Sequence, residues 1–347
     1  MKNSSFLILM VLAACTPKPN APMVLEEVSL GGYEEIDAPQ LLSEWGLFDD
    51  LRVLQPAGTV YPYEVNSPLF SDYAHKARFV HVPAEKALAY NHTDVLEIPD
   101  QGILIKNFYY PSDFRKPSGE RRMLETRLLV NESGAWRPYT YIWNEEQSDA
   151  ALAITGASLP ISWKDKHGEL QKIDYSVPNL NQCKSCHERG GKIMPIGFSA
   201  RQLNNAQQLR DWHDQDILSG LPDDPIDIPK LVSWKNEHLD IDKKARAWLE
   251  TNCAHCHREE GPAKNTGLYL LAEENDPYRL GINKAPVAAG RGSGGLKYAI
   301  APGKPDQSIL LHRIESLDPG VMMPELGRKM VHDEGVQLVR EWIASLD

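Results

Sequence analysis

The chain has 347 residues, 42% of them hydrophobic and 24% charged, with a formal net charge of -11. That composition excludes a disordered chain and a multi-span membrane protein. The acidic balance argues against a general nucleic-acid binder, which needs clustered Lys and Arg for phosphate contacts, and the length favours two or three domains.

Residues 1–14 read as a lipoprotein signal peptide. Lys2 supplies the positive start, and Phe6 to Ala14 form an apolar core too short to stay in a bilayer as a span. Leu12-Ala13-Ala14-Cys15 matches a lipobox, so Cys15 is expected as a diacylated N-terminus. Residues 15–40 then form a lipidated, proline-rich tether. Thr16, rather than an aspartate, points to the periplasmic side of the outer membrane, with attachment by the lipid anchor only. The competing expectation is an ordinary secretory leader with an incidental Cys15.

Residues 41–180 are expected to form a β-rich, sandwich-like domain. LLSEWGLFDDL (41–51) reads as a short helix, and the stretch 61–83 is rich in turn residues and aromatics. ILIKNFYY, MLETRLLV, RPYTYIWN, ALAITG and LQKIDYSV are short β-branched or aromatic runs. SDFRKPSGE, NESGA and KDKHGE separate some of them as turns. Tyr139, Tyr141 and Trp143 alternate along one run and are expected to pack in the core.

Residues 181–230 open with CKSCH and turn helical through SARQLNNAQQLRDWHDQDILSG; LPDDPIDIP reads as a linker. Residues 240–347 are expected to be helical. KKARAWLETNCAHCH carries an apolar stripe of Ala245, Trp248 and Leu249. DQSILLHRIES and HDEGVQLVREWIASL follow, with Asp306 and Asp333 as N-caps, and Val336, Val339, Ile343 and Leu346 at helical spacing.

The five cysteines sort completely. Cys15 takes lipid, and Cys183, Cys186, Cys253 and Cys256 form two C-x-x-C pairs, each followed at once by a histidine. With 11 His in the chain, that coincidence has a chance of roughly one in a thousand. A zinc ribbon brings its second pair in after about 15–20 residues, whereas Cys186 and Cys253 lie 67 positions apart. A thioredoxin-like dithiol needs no trailing histidine. Two thiols three apart on a helical turn share a face and can reach both vinyl groups of one porphyrin, while the next residue turns its imidazole to the iron. The expectation is two covalently bound haem c groups, with His187 and His257 as proximal iron ligands. His255, between the second pair of cysteines, reads as a spectator.

For the second iron, Met323 in PGVMMPEL lies 66 residues after His257 and is the expected sixth ligand. Met322 is its rival, and the bland alternative for both is core filling. For the first iron, Met194 follows His187 by seven residues, a tight route around a porphyrin edge. His213, Met123, His75, His81 and His92 are further candidates, and an open sixth position is another. AAGRGSGG (288–295) lacks the strand and helix of a phosphate cradle and reads as a flexible loop. Asn91-His92-Thr93 matches a glycosylation acceptor incidentally.

SPLFSDYAHKARFVHVP, GILIKNFYYP, RRMLETRLLV, PNLNQCKSCH, PIGFSARQLN, NCAHCHREEGPAKNTGLYL and the closing MPELGRKMVHDEGVQLVREWIASL together resemble a family of proteobacterial diheme c-type cytochromes. Its members are often encoded beside a parallel β-helix repeat protein, and no activity is assigned to the family. The residues from about 240 to the end also resemble a class I cytochrome c, an all-α domain. The resemblance implies haem attachment at Cys183, Cys186, Cys253 and Cys256, ligation by His187 and His257, and Met323 as a distal ligand. This chain departs from the expected pattern at Glu325. Similar blocks occur fused to quinoprotein sugar dehydrogenase domains, which implies an electron-accepting role.

The expected fold class is therefore α+β and multi-domain: a β-rich N-terminal domain, a helical haem-binding segment and an all-α cytochrome c-like domain. The expected function is electron transfer to or from a periplasmic redox protein, a β-helix repeat protein or quinoprotein dehydrogenase among the candidates. The alternative is a peroxidase- or oxidase-like haem enzyme with an open coordination site at the first haem. In a third view, the β-rich domain docks a surface partner and the haems carry its electrons.

Overall fold

A computed structural model describes residues 38–205, 207–287 and 289–347. The expected signal peptide, Cys15 and nearly all of the tether lie outside the described residues. Residues Pro39–Asp347 form one compact unit.

The core of the architecture is a six-stranded antiparallel meander. Its strands are β1 (Val60–Pro62), β2 (His75–His81), β3 (Ile103–Pro111), β4 (Arg121–Glu132), β5 (Ala135–Trp143) and β6 (Ala150–Leu152), hydrogen-bonded in chain order. A hairpin of β7 (Ala157–Lys164) and β8 (Leu170–Val177) follows. The runs ILIKNFYY, MLETRLLV and RPYTYIWN fall in the three long central strands, where β-branched and aromatic side chains fill both faces of a pleated sheet. Tyr139, Tyr141 and Trp143 are buried, as expected. ALAITG contributes only its start to β6, because Gly156 turns the chain with φ +74°. The strand β2 was not apparent in the sequence. His75, Lys76 and Arg78 mask its pattern, and pairing with β3 makes it a strand.

One face of the sheet carries two apolar clusters. Val80, Leu104 and Leu129 pack under Leu203, Leu209 and Trp212 of two short helices, α2 (Ala200–Leu203) and α3 (Gln208–Asp214). Phe108 packs with Trp163 and Tyr175 of the hairpin. Between these clusters runs a row of polar residues.

The remaining helices are α1 (Leu180–His187), α4 (Ile241–Cys253), α5 (Ile309–Glu315) and α6 (Asp333–Ala344). The last three share a core of Trp248, Leu249, Leu311, Val339, Trp342 and Ile343, among others. No helix among the described residues is long and apolar enough to cross a membrane.

The expected fold class is corrected by this arrangement. Residues 240–347 do not form an all-α cytochrome c-like domain. Their α-helices number three among the described residues, of 13, 7 and 12 residues. From Ala254 to Ser308 the described chain runs in loops and 3-10 turns. The physical reason is local: glycines at 267, 281, 290, 294, 295 and 303 all take positive φ, which breaks helical periodicity. The last hundred residues are also fastened to the sheet region. The Asp72 carboxylate accepts the backbone N–H groups of Lys329 (2.8 and 2.9 Å) and Met330 (2.8 Å). Asn252 accepts the Phe70 N–H at 3.0 Å. The result is a β-rich unit to which short helices are attached, not a chain of separate α and β domains. The expected caps differ too. Asp306 pairs with Arg340 at 2.6 Å and does not cap α5, and Asp333 is the first residue of α6.

Candidate functional site

The first C-x-x-C-H lies on α1. Asn179 and Gln182 begin that helix with a reciprocal capping box, each side chain accepting the other's backbone N–H at 2.9 Å. The cap fixes where the eight-residue helix starts, so Cys183, Cys186 and His187 fall in its last two turns. The Cys183 thiol meets Thr140 of β5. Beyond His187 the chain folds back in a small hairpin, with Glu188 opposite Ile193 and Arg189 opposite Lys192. Gly190 and Gly191 make the turn at φ +59° and +79°, a conformation that two consecutive glycines adopt without strain. This return brings the Met194 carbonyl to the His187 imidazole, whose Nδ1–H donates to it at 2.9 Å.

The second motif is the end of α4. The N–H groups of Cys256 and His257 both donate to the Cys253 carbonyl, at 3.1 and 3.0 Å. The loop closes so tightly that a Cβ at Gly261 would lie 2.3 Å from the Cys256 carbonyl oxygen; glycine is required there. His257 Nδ1 is 3.4 Å from the Thr266 hydroxyl. The two motifs are neighbours. Gly190, three residues after His187, donates its N–H at 3.0 Å to the carbonyl of Glu260, three residues after His257.

Both motifs border one cavity of about 540 Å³, within the roughly 300–1,000 Å³ of small-molecule and cofactor sites. Cys183, Cys186 and His187 line it from one side; of the second motif only the spacer residues Ala254 and His255 line it, followed by Arg258, while Cys253, Cys256 and His257 do not. The sheet supplies its floor. Arg78 of β2 stands opposite Lys106 of β3, Lys106 opposite Arg127 of β4, and Arg127 opposite Thr140 of β5. Met322 and Met323 line the cavity from the loop before α6. That loop is organised by Arg328, 6% exposed, which donates to the carbonyls of Arg313, Ser316, Met323 and Met330. The loop adjoins the second motif: the Glu325 carboxylate acts on the Cys256 thiol, and Arg313, whose carbonyl accepts the Met323 N–H, acts on His257.

The electrostatics set the chemistry. Burial pushes the Cys253 and Cys256 thiols up to about 12, and raises those of Cys183 and Cys186 as well. A redox dithiol needs the opposite, a stabilised thiolate. The four cysteines are free thiols. No group of three or more His, Cys, Asp or Glu among the described residues is arranged to hold a metal ion directly. Burial also pushes the His187, His255 and His257 imidazoles down to about 4, so each is a neutral base. In His187 the proton sits on Nδ1, held by a carbonyl, and Nε2 is left as the basic nitrogen.

Of the other first-site candidates, Met194 lines the cavity but meets His187 through its backbone. The other five lie away from the cavity lining. His213 donates to the Leu218 carbonyl, Met123 is buried in the sheet, His81 pairs with Thr59, His75 packs on Tyr109, and His92 meets the Tyr90 hydroxyl. His255, taken as a spectator from the sequence, lines the cavity, and its buried Nδ1 has no hydrogen-bond partner among the described residues. Arg78, Lys106 and Arg127 were also missed. The available signal was the basic residues set inside otherwise apolar runs: Lys76 and Arg78 in KARFV, Lys106 in ILIKNFYY and Arg127 in LETRLLV.

Comparison with models of protein families, with curated proteins and with solved structures finds no match to this chain.

Proposed function

We propose that the chain is a diheme c-type cytochrome that carries electrons on the periplasmic side of the outer membrane, anchored there through Cys15. Cys183 and Cys186 would hold one haem and Cys253 and Cys256 a second, with His187 and His257 as the proximal ligands. The observation that carries this proposal is the adjacency of two C-x-x-C-H motifs, their loops joined by the bond from Gly190 to Glu260, with the cysteines and histidine of the first lining a cavity that His255 of the second also borders. Covalent haem iron supplies reversible one-electron redox chemistry, and axial ligands and burial tune its potential.

The residues fit that group. The thiols are half-buried free cysteines whose acidity is lowered by burial, so they are protonated. The Met194 carbonyl fixes the ring of His187 and presents Nε2. Met323 stays the proposed sixth ligand of the second iron, on a loop that Arg328 ties to the end of α5 through the carbonyls of Met323, Arg313 and Ser316. For the first iron we assign His255, an imidazole on the same cavity as His187 with an unpartnered buried nitrogen. A short path between the sites follows from the adjacency of the motifs. With a net charge of -11 the chain would meet a redox partner through that partner's basic face. The family resemblance makes a β-helix repeat protein or a quinoprotein dehydrogenase the first partners to try.

A second possibility, a haem enzyme with an open first site, is favoured by the size of the cavity beside His187. One set of measurements separates the two. The protein is made in a host with cytochrome maturation machinery and its intact mass is measured. Two haem masses are expected, falling to one in Cys183→Ala/Cys186→Ala and in Cys253→Ala/Cys256→Ala. A colourless wild-type protein without added mass ends the proposal. Rapid cyanide binding at one haem favours the enzyme.

A further inference from the structure

The sheet register places three cations in a line where a fold by itself gains nothing from them. Arg78, Lys106 and Arg127 are direct cross-strand neighbours on the cavity face. Side chains so placed have Cβ atoms roughly 4.5–5.5 Å apart, and like charges there oppose folding. Only one of the three is well compensated: Glu125 takes Arg127 in a two-point pair at 2.8 and 2.5 Å, and Tyr175 donates to the same carboxylate at 2.7 Å. Arg78 has Glu64 at 3.9 Å, on a side chain that is 77% exposed. Lys106 has neither a hydrogen bond nor an ion pair among the described residues. Burial, with Arg78 and Arg127 adding to it, pushes the Lys106 amine down to about 7. With Glu125 taken up by Arg127 and Tyr175, Arg78 and Lys106 face the cavity with only the exposed Glu64 near them. Thr140, next in the row, touches the Cys183 thiol.

We infer that Arg78 and Lys106, the end of the row away from Cys183, are the seat of the two carboxylates of the first porphyrin. The inference rests on the haem proposal above and adds which residues would take the carboxylates of a group attached at Cys183 and Cys186. The planar guanidinium of Arg78 offers a two-point carboxylate contact, and a carboxylate beside Lys106 would favour the charged form of its amine. Without that anion the row is a stored repulsion; with it, the row becomes an ion-paired layer between two apolar clusters.

The test uses the sign of one substitution in two backgrounds. Lys106→Met is placed in the fully loaded protein and in Cys183→Ala/Cys186→Ala, which lacks the first haem. In the first-site-empty protein the melting temperature is expected to rise, because a buried like charge is removed. In the loaded protein it is expected to fall, and the midpoint potential of one haem is expected to fall with it, since a cation that favours the reduced iron is gone. Lys106→Arg restores both. If Lys106→Met does not accumulate, Arg78→Gln takes its place with the same expected signs. A shift of the same sign in both backgrounds, with both potentials unchanged, overturns the seat while two attached haems by mass leave the cytochrome proposal standing. Absence of haem from the wild-type protein overturns both.

Discussion

His187 donates its Nδ1–H to the Met194 carbonyl at 2.9 Å, and the Met194 amide returns a bond to the His187 carbonyl at 2.8 Å. The methionine thus holds the histidine through its main chain, from the side of the histidine itself. Met194→Ala keeps both backbone groups. It is expected to leave the absorption spectrum of both haems unchanged and to cost less than about 2 kcal/mol in stability, since the side chain is only partly buried. Loss of a sulfur-to-iron band in this variant would return Met194 to the list of distal ligands.

Met323 and Arg328 are coupled in the same manner. The Arg328 guanidinium holds the Met323 carbonyl at 2.9 and 3.2 Å and three further carbonyls besides. Removing it strands buried acceptors, so Arg328→Ala is expected to lower stability by about 3 kcal/mol or more. The long-wavelength sulfur-to-iron band of the oxidised protein is expected to disappear in Met323→Ala and to weaken in Arg328→Ala. Met322→Ala, at a core position, is expected to cost about 2–5 kcal/mol and keep the band. A band that follows Met322 instead would reassign the ligand.

His255 gives the sharpest spectroscopic outcome. In His255→Ala one haem is expected to change from low spin to high spin and to bind cyanide rapidly, and added imidazole is expected to reverse both changes. Magnetic circular dichroism of the oxidised protein checks this. Two low-spin haems in the variant would show that the first iron takes its sixth ligand elsewhere.

His332, which lines the same cavity as the first motif, sets a pH dependence of its own. Its ring stacks on Phe70 at 4.3 Å between centroids, and its Nδ1 accepts the Trp248 indole N–H at 3.0 Å. Burial pushes the imidazole down to about 4, with Glu334 pulling up and Lys235 and Lys76 pushing down. The folded pKa lies below the unfolded value of about 6.5, so between these limits the unfolded chain binds more protons. Stability therefore falls as pH drops from about 6.5 to about 4 and is flat below, worth about 3 kcal/mol for this one group. His332→Phe retains stacking but not the titration. Denaturant unfolding from pH 4 to 7 is expected to show one proton fewer in its slope, at the cost of roughly 1–3 kcal/mol at neutral pH for the stranded Trp248 N–H. Parallel slopes in the two proteins would contradict the assignment.

The strands around 103–143 were legible because β-branched and aromatic runs mark a buried pleated surface without reference to partners. The strand His75–His81 was not, since its basic residues are explained only by what lies across from them. The expected all-α domain failed for a related reason. Helical spacing was real in Ile241–Cys253, Ile309–Glu315 and Asp333–Ala344, but the glycine-rich stretch from Ala254 to Ser308 carried no helical signal.

What the sequence determined alone is the local chemistry: two C-x-x-C-H motifs, whose spacing follows from one helical turn, and the β texture of the central runs. What only the tertiary structure decided is what those motifs face. Arg78, Lys106 and Arg127 are 28 and 21 positions apart along the chain and become one row through strand register, a property of pairing and not of any segment. His255 passes from spectator to ligand candidate in the same way, because the cavity it borders also takes in the first motif, with His187 lying 68 positions away.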